Sequence, residues 1–400
     1  MTDFLTSPRP TGRDRHFGLV PFGTYTRILT VAHASHVGTV MAALLVMALT
    51  LDLAPRAERI ASQAGQVGPL GVTLHMLWYL LLRTCDVLGN LLPLGCFMGL
   101  YWSEITLTQS RERIVIANGG RSPLQSLMPI LVLGCAFGAL QVTSLMVLRP
   151  TAVALQIQQN LGSYGERFDR RLKDERRWII LPSHLVQARI DFRNARLVDV
   201  QVFELSEGGR MTGRIAASSA SPGREAGTWI FRDGSRWSAP PPDSPATATG
   251  TGTGRRFAEE PVQIPLDPLY LANLGIDARY LPQGTLAALT ERSPRSEPSY
   301  RSWWHVRIAQ AILPLAMMLI ASALATTFVA QRTAFAPMIL VGLSGYFLYV
   351  SNNVVVWLGE YGQLHPLVAA WLMPLAMIAA AAALFWRLSM FGNDHIKQSF

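Results

Sequence analysis

The sequence predicts a helical membrane protein with six transmembrane helices and one all-β, jellyroll-like domain inserted between the third and fourth. Three observations predict it. Half of the 400 residues are hydrophobic and only 15% are charged, against about 25% charged in soluble globular chains. Six stretches stay apolar over the length a bilayer-spanning helix needs, about 20 residues. The segment 151–301 leaves that pattern for short β-branched and aromatic runs broken by Gly, Asn and Asp, which is how antiparallel strands read.

The tail 1–27 is polar and Arg-containing and lacks the apolar core and cleavage site of a signal peptide. The first apolar segment, Ile28 to Leu51, is therefore expected to stay as an anchor. The second, Val72 to Ser103, carries Arg83 and Asp86. It reads as one long span, the alternative being a re-entrant stretch before a short helix. Pro123 to Leu148 makes the third. Ile308 to Gln331, Thr333 to Gly359 and Tyr361 to Trp386 make the last three, within 302–388, ahead of a tail 389–400. A tight turn around Arg332 must separate spans four and five.

The net charge of +9 would suggest nucleic acid if it clustered on a soluble domain, but the basic residues flank apolar segments. They set the orientation, because Lys and Arg gather in short cytoplasmic loops. Arg9, Arg13, Arg15, Arg27, Arg111, Arg113, Arg121, Arg332, Arg387 and Lys397 fall on one side; only Arg56 and Arg59 fall in short loops on the other. Both termini are thus expected in the cytoplasm and the β-domain outside. Cys85, Cys96 and Cys135 lie in apolar segments with no metal-ligand spacing, which argues against a disulfide framework or a zinc site.

In the outward segment, Arg177 to Leu181, Leu185 to Phe192, Leu197 to Leu205, Thr228 to Arg232 and Ser235 to Trp237 read as strands. Asn194-Ala195, Glu207-Gly208-Gly209 and Asp233-Gly234 read as turns. In the clearest run Val198, Val200 and Val202 share one face and Leu197, Asp199, Gln201 and Phe203 the other. The valine face packs in a core or lines an apolar groove; the pattern fits both. Residues 240–256, rich in Pro, Thr and Gly, read as a disordered insertion.

The chain carries no GxxxxGK[ST] loop, HExxH, GxSxG or Gly-rich dinucleotide turn. Energy for any work must come from a partner or an ion gradient. Around 108–120, Arg111 to Ala117 has the pattern of a short amphipathic helix ended by Asn118-Gly119-Gly120, and Ser122-Pro123 suits the start of span three. Such a helix between two spans either receives a push from a soluble partner or lies on the membrane surface.

Several motifs, in order, resemble one family. They are Leu92-Pro93-Leu94; Glu112, Gly120 and Ser122-Pro123-Leu124; Arg177-Trp178-Ile179-Ile180; Leu197 to Leu205 followed by Ala216-Ala217; His365-Pro366-Leu367; and Ala370-Trp371-Leu372-Met373-Pro374. Together they resemble the LptF/LptG lipopolysaccharide-export permeases over nearly the whole chain, and LptG more than LptF. The resemblance implies an inner-membrane, multi-pass subunit with a periplasmic β-jellyroll, no catalytic activity and no cofactor. It implies four partners: the other permease of the LptF/LptG pair, an LptB-like ATPase dimer, an LptC-like protein and the cargo, lipopolysaccharide. It implies that the cytoplasmic helix docks on the ATPase through Glu112, with Arg111, Arg113, Ile114 and Gly120 around it. The sequence departs from the family there: Ala117 stands where an arginine is usual, and Glu112 is flanked by two arginines.

Lipid A offers phosphates above apolar chains, so its site needs cations at the outer headgroup level. Arg56 and Arg59 stand just outside span one, where family members carry basic residues, although the lysines of some members are absent. Arg83 and Asp86, at i and i+3, share a helix face and pair structurally or handle lipid. Asp52 is placed to pair with Arg56 at i+4. His33 and His36 read as interior or interfacial residues. Asn352, beside Asn353 in span five, is placed to hydrogen-bond a neighbouring helix, and span five is a gate helix in the family. Trp303-Trp304 read as part of an interfacial aromatic belt. Two rivals remain from the sequence: an ion-coupled secondary transporter, which needs midplane acids or broken helices, and a scaffold or sensor with a ligand-binding β-domain.

Overall fold

A computed structural model describes residues 23–63, 68–113, 127–165, 176–192, 194–225, 227–239, 253–292, 298–329 and 335–397. The first helix, α1, is Thr24–Leu53, followed by the short α2, Ala57–Gln63. The second long helix, α3, runs unbroken over Gly68–Gln109, without the break that a re-entrant stretch before a short helix would need. Pro93 lies inside it. The third long helix is continuous over Met128–Gln158: α4 (Met128–Thr143), a π-helical segment (Ser144–Leu148) and α5 (Arg149–Gln158). It extends well past Leu148, where the sequence suggested a stop. Arg149 does not end it, because Asp86 neutralises the guanidinium inside the bundle.

Span four departs from a straight helix. Pro298–Ala309 (α8) and Leu313–Leu324 (α9) are bent by 55° at the break between them. Pro314 has no N–H to donate to Gln310 and its ring crowds that carbonyl, which opens the ladder at this point. Gly138 of α4 lies against the elbow: a Cβ there would sit 2.3 Å from the carbonyl oxygen of Ala311. A second π-helical segment, Ala325–Val329, follows α9. The last two long helices are α10 (Phe335–Glu360) and α11 (Pro366–Lys397). Five described helices are long and apolar enough to cross a bilayer, or six if the bent pair counts as one span. The turn around Arg332 lies outside the described residues.

The helical core gathers Val37 and Met41 of α1, Leu92 to Tyr101 of α3, Ile130 and Leu133 of α4, most of α9, Val341 of α10 and Met377 and Ala381 of α11. Helix α9 is central: Ala316, Met317, Met318, Ala321 and Ala323 are all fully buried. Small residues let backbones meet, as in membrane helix pairs generally. Gly99 of α3 is the clearest case, since a Cβ there would lie 2.4 Å from the Cα of Val37.

The β-domain is one six-stranded antiparallel sheet in the order β1-β2-β3-β4-β5-β6, each strand beside its neighbour in sequence. The strands are Arg177–Ile180, His184–Asp191, Arg196–Leu205, Met211–Pro222, Thr228–Ser238 and Thr253–Gln263. Turns at Asn194-Ala195 and Glu207-Gly208-Gly209 fall where expected, and Ala195 (φ 48°) and Gly209 (φ 73°) adopt the left-handed conformation they require. Strands β4 and β6 were not legible: β4 is rich in Ala and Ser, and β6 begins with Thr-Gly-Arg-Arg. Strand β6 starts at Thr253, inside the stretch expected to be disordered, because its backbone pairs with β5 from Ser238↔Thr253 onward. Residues 240–252 of that stretch lie outside the described residues.

Asp233-Gly234 is not a turn. It lies within the continuous β5, with Asp233 at φ 51°. On β3, Asp199 is likewise left-handed (φ 53°), and β3 has one residue more than β2 across this point, a β-bulge. The extra residue flips the alternation. Leu197, Val200 and Val202 are buried while Val198 is exposed, so the predicted Val198-Val200-Val202 face is corrected to Leu197-Val200-Val202. The buried rows Leu197–Ala220–Phe231 and Val186–Val202–Ile215 therefore stay on one side of the sheet despite the bend. Ile264, Leu266 and Leu271 of the following segment fill that face, and the buried Trp229 donates its indole N–H to the carbonyl of Leu266 (2.9 Å). Of the two readings of the valine face, core is the one observed.

The chain returns to the helices through α6 (Pro268–Ala272), a 3₁₀ turn Ala278–Tyr280 and α7 (Gln283–Arg292). Asp267 caps α6 by accepting from the Leu269 N–H. Trp303 packs here among Leu286, Leu289 and Val306 and is only 8% exposed, so it belongs to a packed core rather than an interfacial belt.

Candidate functional site

Two polar clusters interrupt the apolar bundle, one at each end. The cluster at the β-domain end is built around two carboxylates. Asp52, in the last turn of α1, accepts from Arg56 (2.7 Å), from Arg83 of α3 (3.0 Å) and from the hydroxyl of Tyr79. Asp86, one turn along α3 from Arg83, is 2% exposed. It accepts from Arg83 (2.5 Å), Arg149 of α5 (3.1 Å) and the hydroxyl of Tyr164 (2.9 Å). Arg149 also donates to Asn90 (3.2 Å) and lies over the ring of Tyr280, 4.9 Å from its centre. Arg83 lies over Tyr164, and Tyr164 meets Tyr280 edge-on.

The cluster thus ties spans one, two and three to the 3₁₀ turn that leads out of the β-domain. A buried charge is tolerated only when paired and hydrogen-bonded, and each of these carboxylates has both kinds of partner. A second tie is Arg307 of α8, which is fully buried. It donates to the carbonyl of Leu281 (2.6 Å) and to Gln283 (2.9 Å), with longer contacts to the carbonyls of Ala278 (3.3 Å) and Arg279 (3.4 Å). No carboxylate pairs with it among the described residues, so the guanidinium acts as a hydrogen-bonded strut for the turn.

At the opposite end, Glu104 of α3 is buried. It pairs with Arg113 and accepts from the hydroxyl of Ser322 of α9 (2.7 Å). Adjacent Ser103 hydrogen-bonds Nδ1 of His33 in α1 (2.8 Å), and Tyr101 donates to the carbonyl of Met338 in α10 (2.6 Å). Helix α3 ends at Gln109, Arg111 is left-handed (φ 61°), and Glu112 and Arg113 are helical again.

The predicted residues fall as follows. Arg56, Arg83 and Asp86 belong to one network, with the i,i+4 and i,i+3 pairs as read from the sequence. Arg59 lies in α2, its side chain outside the described residues. Asn352 is buried on α10, and no described hydrogen bond or ion pair joins it to the network. His33 is interior, and His36 bonds its own helix at Ala32 and meets Trp102 edge-on. Glu112 and Arg111 are exposed, whereas Arg113 turns inward to Glu104. Ile114 and Gly120 lie outside the described residues. Sequence reasoning missed Arg149 and Arg307. Each is a lone arginine at the margin of an apolar run, the one signal that marked them. No group of His, Cys, Asp and Glu suited to a metal occurs among the described residues.

One comparison covers nearly all of this architecture. The model of the family described as "Lipopolysaccharide export system permease LptF/LptG" matches residues 32–387.

The chain belongs to the LptF/LptG family.

Family membership makes it a lipopolysaccharide transport permease, a transport component of a family that is generally non-catalytic. Its apolar helices fit a multi-pass membrane protein. The family model covers LptF and LptG together and does not separate them. No curated protein matches the chain. One cluster joins α1, α3 and α5 to the 3₁₀ turn after the β-domain, and the other joins Arg113, beyond α3, and the end of α3 to α1, α9 and α10.

Proposed function

We propose that the chain is one permease, LptG-like, of an ABC transporter that lifts lipopolysaccharide out of the inner membrane and passes it to a periplasmic bridge. The observation that carries this is the family match across 32–387, which takes in both the helices and the β-domain. A separate LptB-like ATPase dimer supplies the energy. The second LptF/LptG permease completes the cavity, and an LptC-like protein continues the bridge. Orientation follows the arginine distribution, with the α3–α4 loop cytoplasmic and the β-domain periplasmic as a jellyroll unit.

Docking on the ATPase is assigned to Glu112, which is exposed at the start of the loop. Arg111, Arg113, Ile114 and Gly120 complete the coupling set around it, and the Arg113 guanidinium is engaged with Glu104. On the lipid side, the Asp52–Asp86 network holds the outer ends of three spans in register, and Arg56, part-exposed, is the cation of that network closest to a headgroup role. Exposed Trp178 and Ile180, with Phe203 stacked on Trp178 at 5.8 Å, give the sheet an apolar surface on the face opposite its core. That surface suits acyl chains leaving the membrane.

Co-purification with an LptB-like ATPase tests the docking assignment. Glu112→Ala should lose most of the bound ATPase while keeping its own fold. A variant that retains the complex and its ATP hydrolysis would remove Glu112 from the docking surface.

A further inference from the structure

Glu104 is a carboxylate that transport of lipid does not obviously need. It is 5% exposed, at the inner end of the apolar bundle, where an ionised group must be compensated. Its two partners come from two different elements. Arg113 belongs to the loop after α3, beyond the left-handed break at Arg111. Ser322 belongs to the last turn of α9 and is itself buried. The residues on either side of the pair diverge: Glu112 faces solvent while Arg113 points into the bundle.

Immediately after Ser322 and Leu324, the helix widens into the π-helical segment Ala325–Val329. Such segments are rare and cluster at functional sites, because the wider turn lets a helix change register locally. The same end of α3 is hydrogen-bonded to α1 through Ser103 and His33, and to α10 through Tyr101 and the Met338 carbonyl. Motion delivered to this end of α3 therefore reaches three other helices through short, directional bonds rather than through greasy contact alone.

We propose that Glu104 is a positioning residue that relays movement of the α3–α4 loop, through Arg113, to Ser322 and the π-helical end of span four. This rests on the reading of the chain as an ATPase-driven permease, and adds the route by which the push leaves the docking loop. The mechanism is electrostatic. Displacing Arg113 leaves the buried Glu104 carboxylate undercompensated, and the carboxylate must follow the guanidinium or strengthen its bond to Ser322. Either response moves α9 relative to α3.

The test uses the full transporter reconstituted in vesicles that contain lipopolysaccharide. Glu104→Gln keeps the shape and removes the charge. Lipopolysaccharide extracted per ATP hydrolysed should fall about tenfold, within the usual span of an allosteric coupling. Ser322→Ala should lower it less. The exchanged pair Glu104→Arg with Arg113→Glu should recover more of the ratio than either single change. Spin labels on α1 and on the π-helical end of span four should report a nucleotide-dependent distance change that Glu104→Gln abolishes. An unchanged ratio and distance change in Glu104→Gln would overturn the relay, as would failure of that variant to assemble, which would make Glu104 a structural residue only. A Glu112→Ala variant that still assembles would instead overturn the docking assignment and leave the relay standing. A wild-type complex that extracts no lipid would overturn the function itself.

Discussion

Removing the Asp86 carboxylate should cost several kilocalories, and the structure says where the cost falls. Asp86→Ala withdraws an acceptor from Arg83, Arg149 and Tyr164 at once. Arg83 keeps Asp52 at 3.0 Å and is part-exposed, so its loss is small. Tyr164 keeps its edge-on contact to Tyr280 and the Arg83 guanidinium over its ring. Arg149 is the residue left stranded: its side chain is 4% exposed, and among the described residues Asn90 and the ring of Tyr280 remain to it. Breaking a buried pair from one side costs about 3–5 kcal/mol, and the remaining contacts of Arg149 place this case near 3 kcal/mol. Arg149→Met alone leaves Asp86 with Arg83 and Tyr164, and should cost about half as much. The double variant should be more stable than Asp86→Ala, with a coupling of about 2 kcal/mol, as contacting charges in one network are strongly non-additive. Detergent-solubilised protein unfolded by titration with a denaturing detergent provides the free energies. A cost below 1 kcal/mol for Asp86→Ala, or additive single changes, would refute the claim that this network holds the spans together.

Two further outcomes follow from the same reasoning. Arg307→Met should free the 278–283 turn by removing its donors to Leu281, Gln283 and the neighbouring carbonyls, at about 3 kcal/mol. Hydrogen exchange should then quicken in α7 and the 3₁₀ turn while the β-sheet is unaffected; equal quickening in both would argue against a local strut. Acidification should loosen the β-domain. Burial lowers the pKa of His184, with Glu204 opposing, so the fold favours neutral imidazole. The unfolded chain then binds the extra proton as pH falls below about 6.5, and stability declines from there down to the lowered folded pKa. Burial raises the pKa of Glu260, but the bonds from Arg236 and Arg255 outweigh it and the net shift is downward. Stability from Glu260 is therefore present above about 4.3 and lost as pH drops through its folded value. Protection of β2 should decline between pH 7 and pH 5, and that of β6 only at lower pH; a gain in protection on acidification would contradict both signs.

Most of the helical fold was legible because a bilayer filters sequence so strongly: length and lack of charge locate a span with little help from context. What failed were the places where tertiary contacts override that rule. Arg149 looked like the end of span three until Asp86 supplied its countercharge. The elbow before Pro314 hid inside an uninterrupted apolar run, since the sequence shows the proline but not whether neighbours will absorb the kink. In the β-domain, alternation located β1, β2 and β3, but Ala and Ser give β4 no hydrophobic period. Asp233-Gly234 carries the residues of a turn and sits in mid-strand, with Asp233 left-handed while the pairing to β4 and β6 runs through without a change of register. At the sites, pairs close in sequence were readable from spacing, as for Arg83 with Asp86 and Arg56 with Asp52. Pairs between helices were not, which is why the Glu104–Arg113–Ser322 contact appears only in three dimensions.

The account stands most directly on whether this chain moves lipopolysaccharide only when a separate motor works it. Vesicles holding lipopolysaccharide, the chain, its partner permease and an LptB-like ATPase should release lipid to a photocrosslinking β-domain acceptor when ATP is present. They should release none when the ATPase or the nucleotide is left out. Release that persists without the ATPase, driven by an ion gradient or by nothing at all, would contradict it.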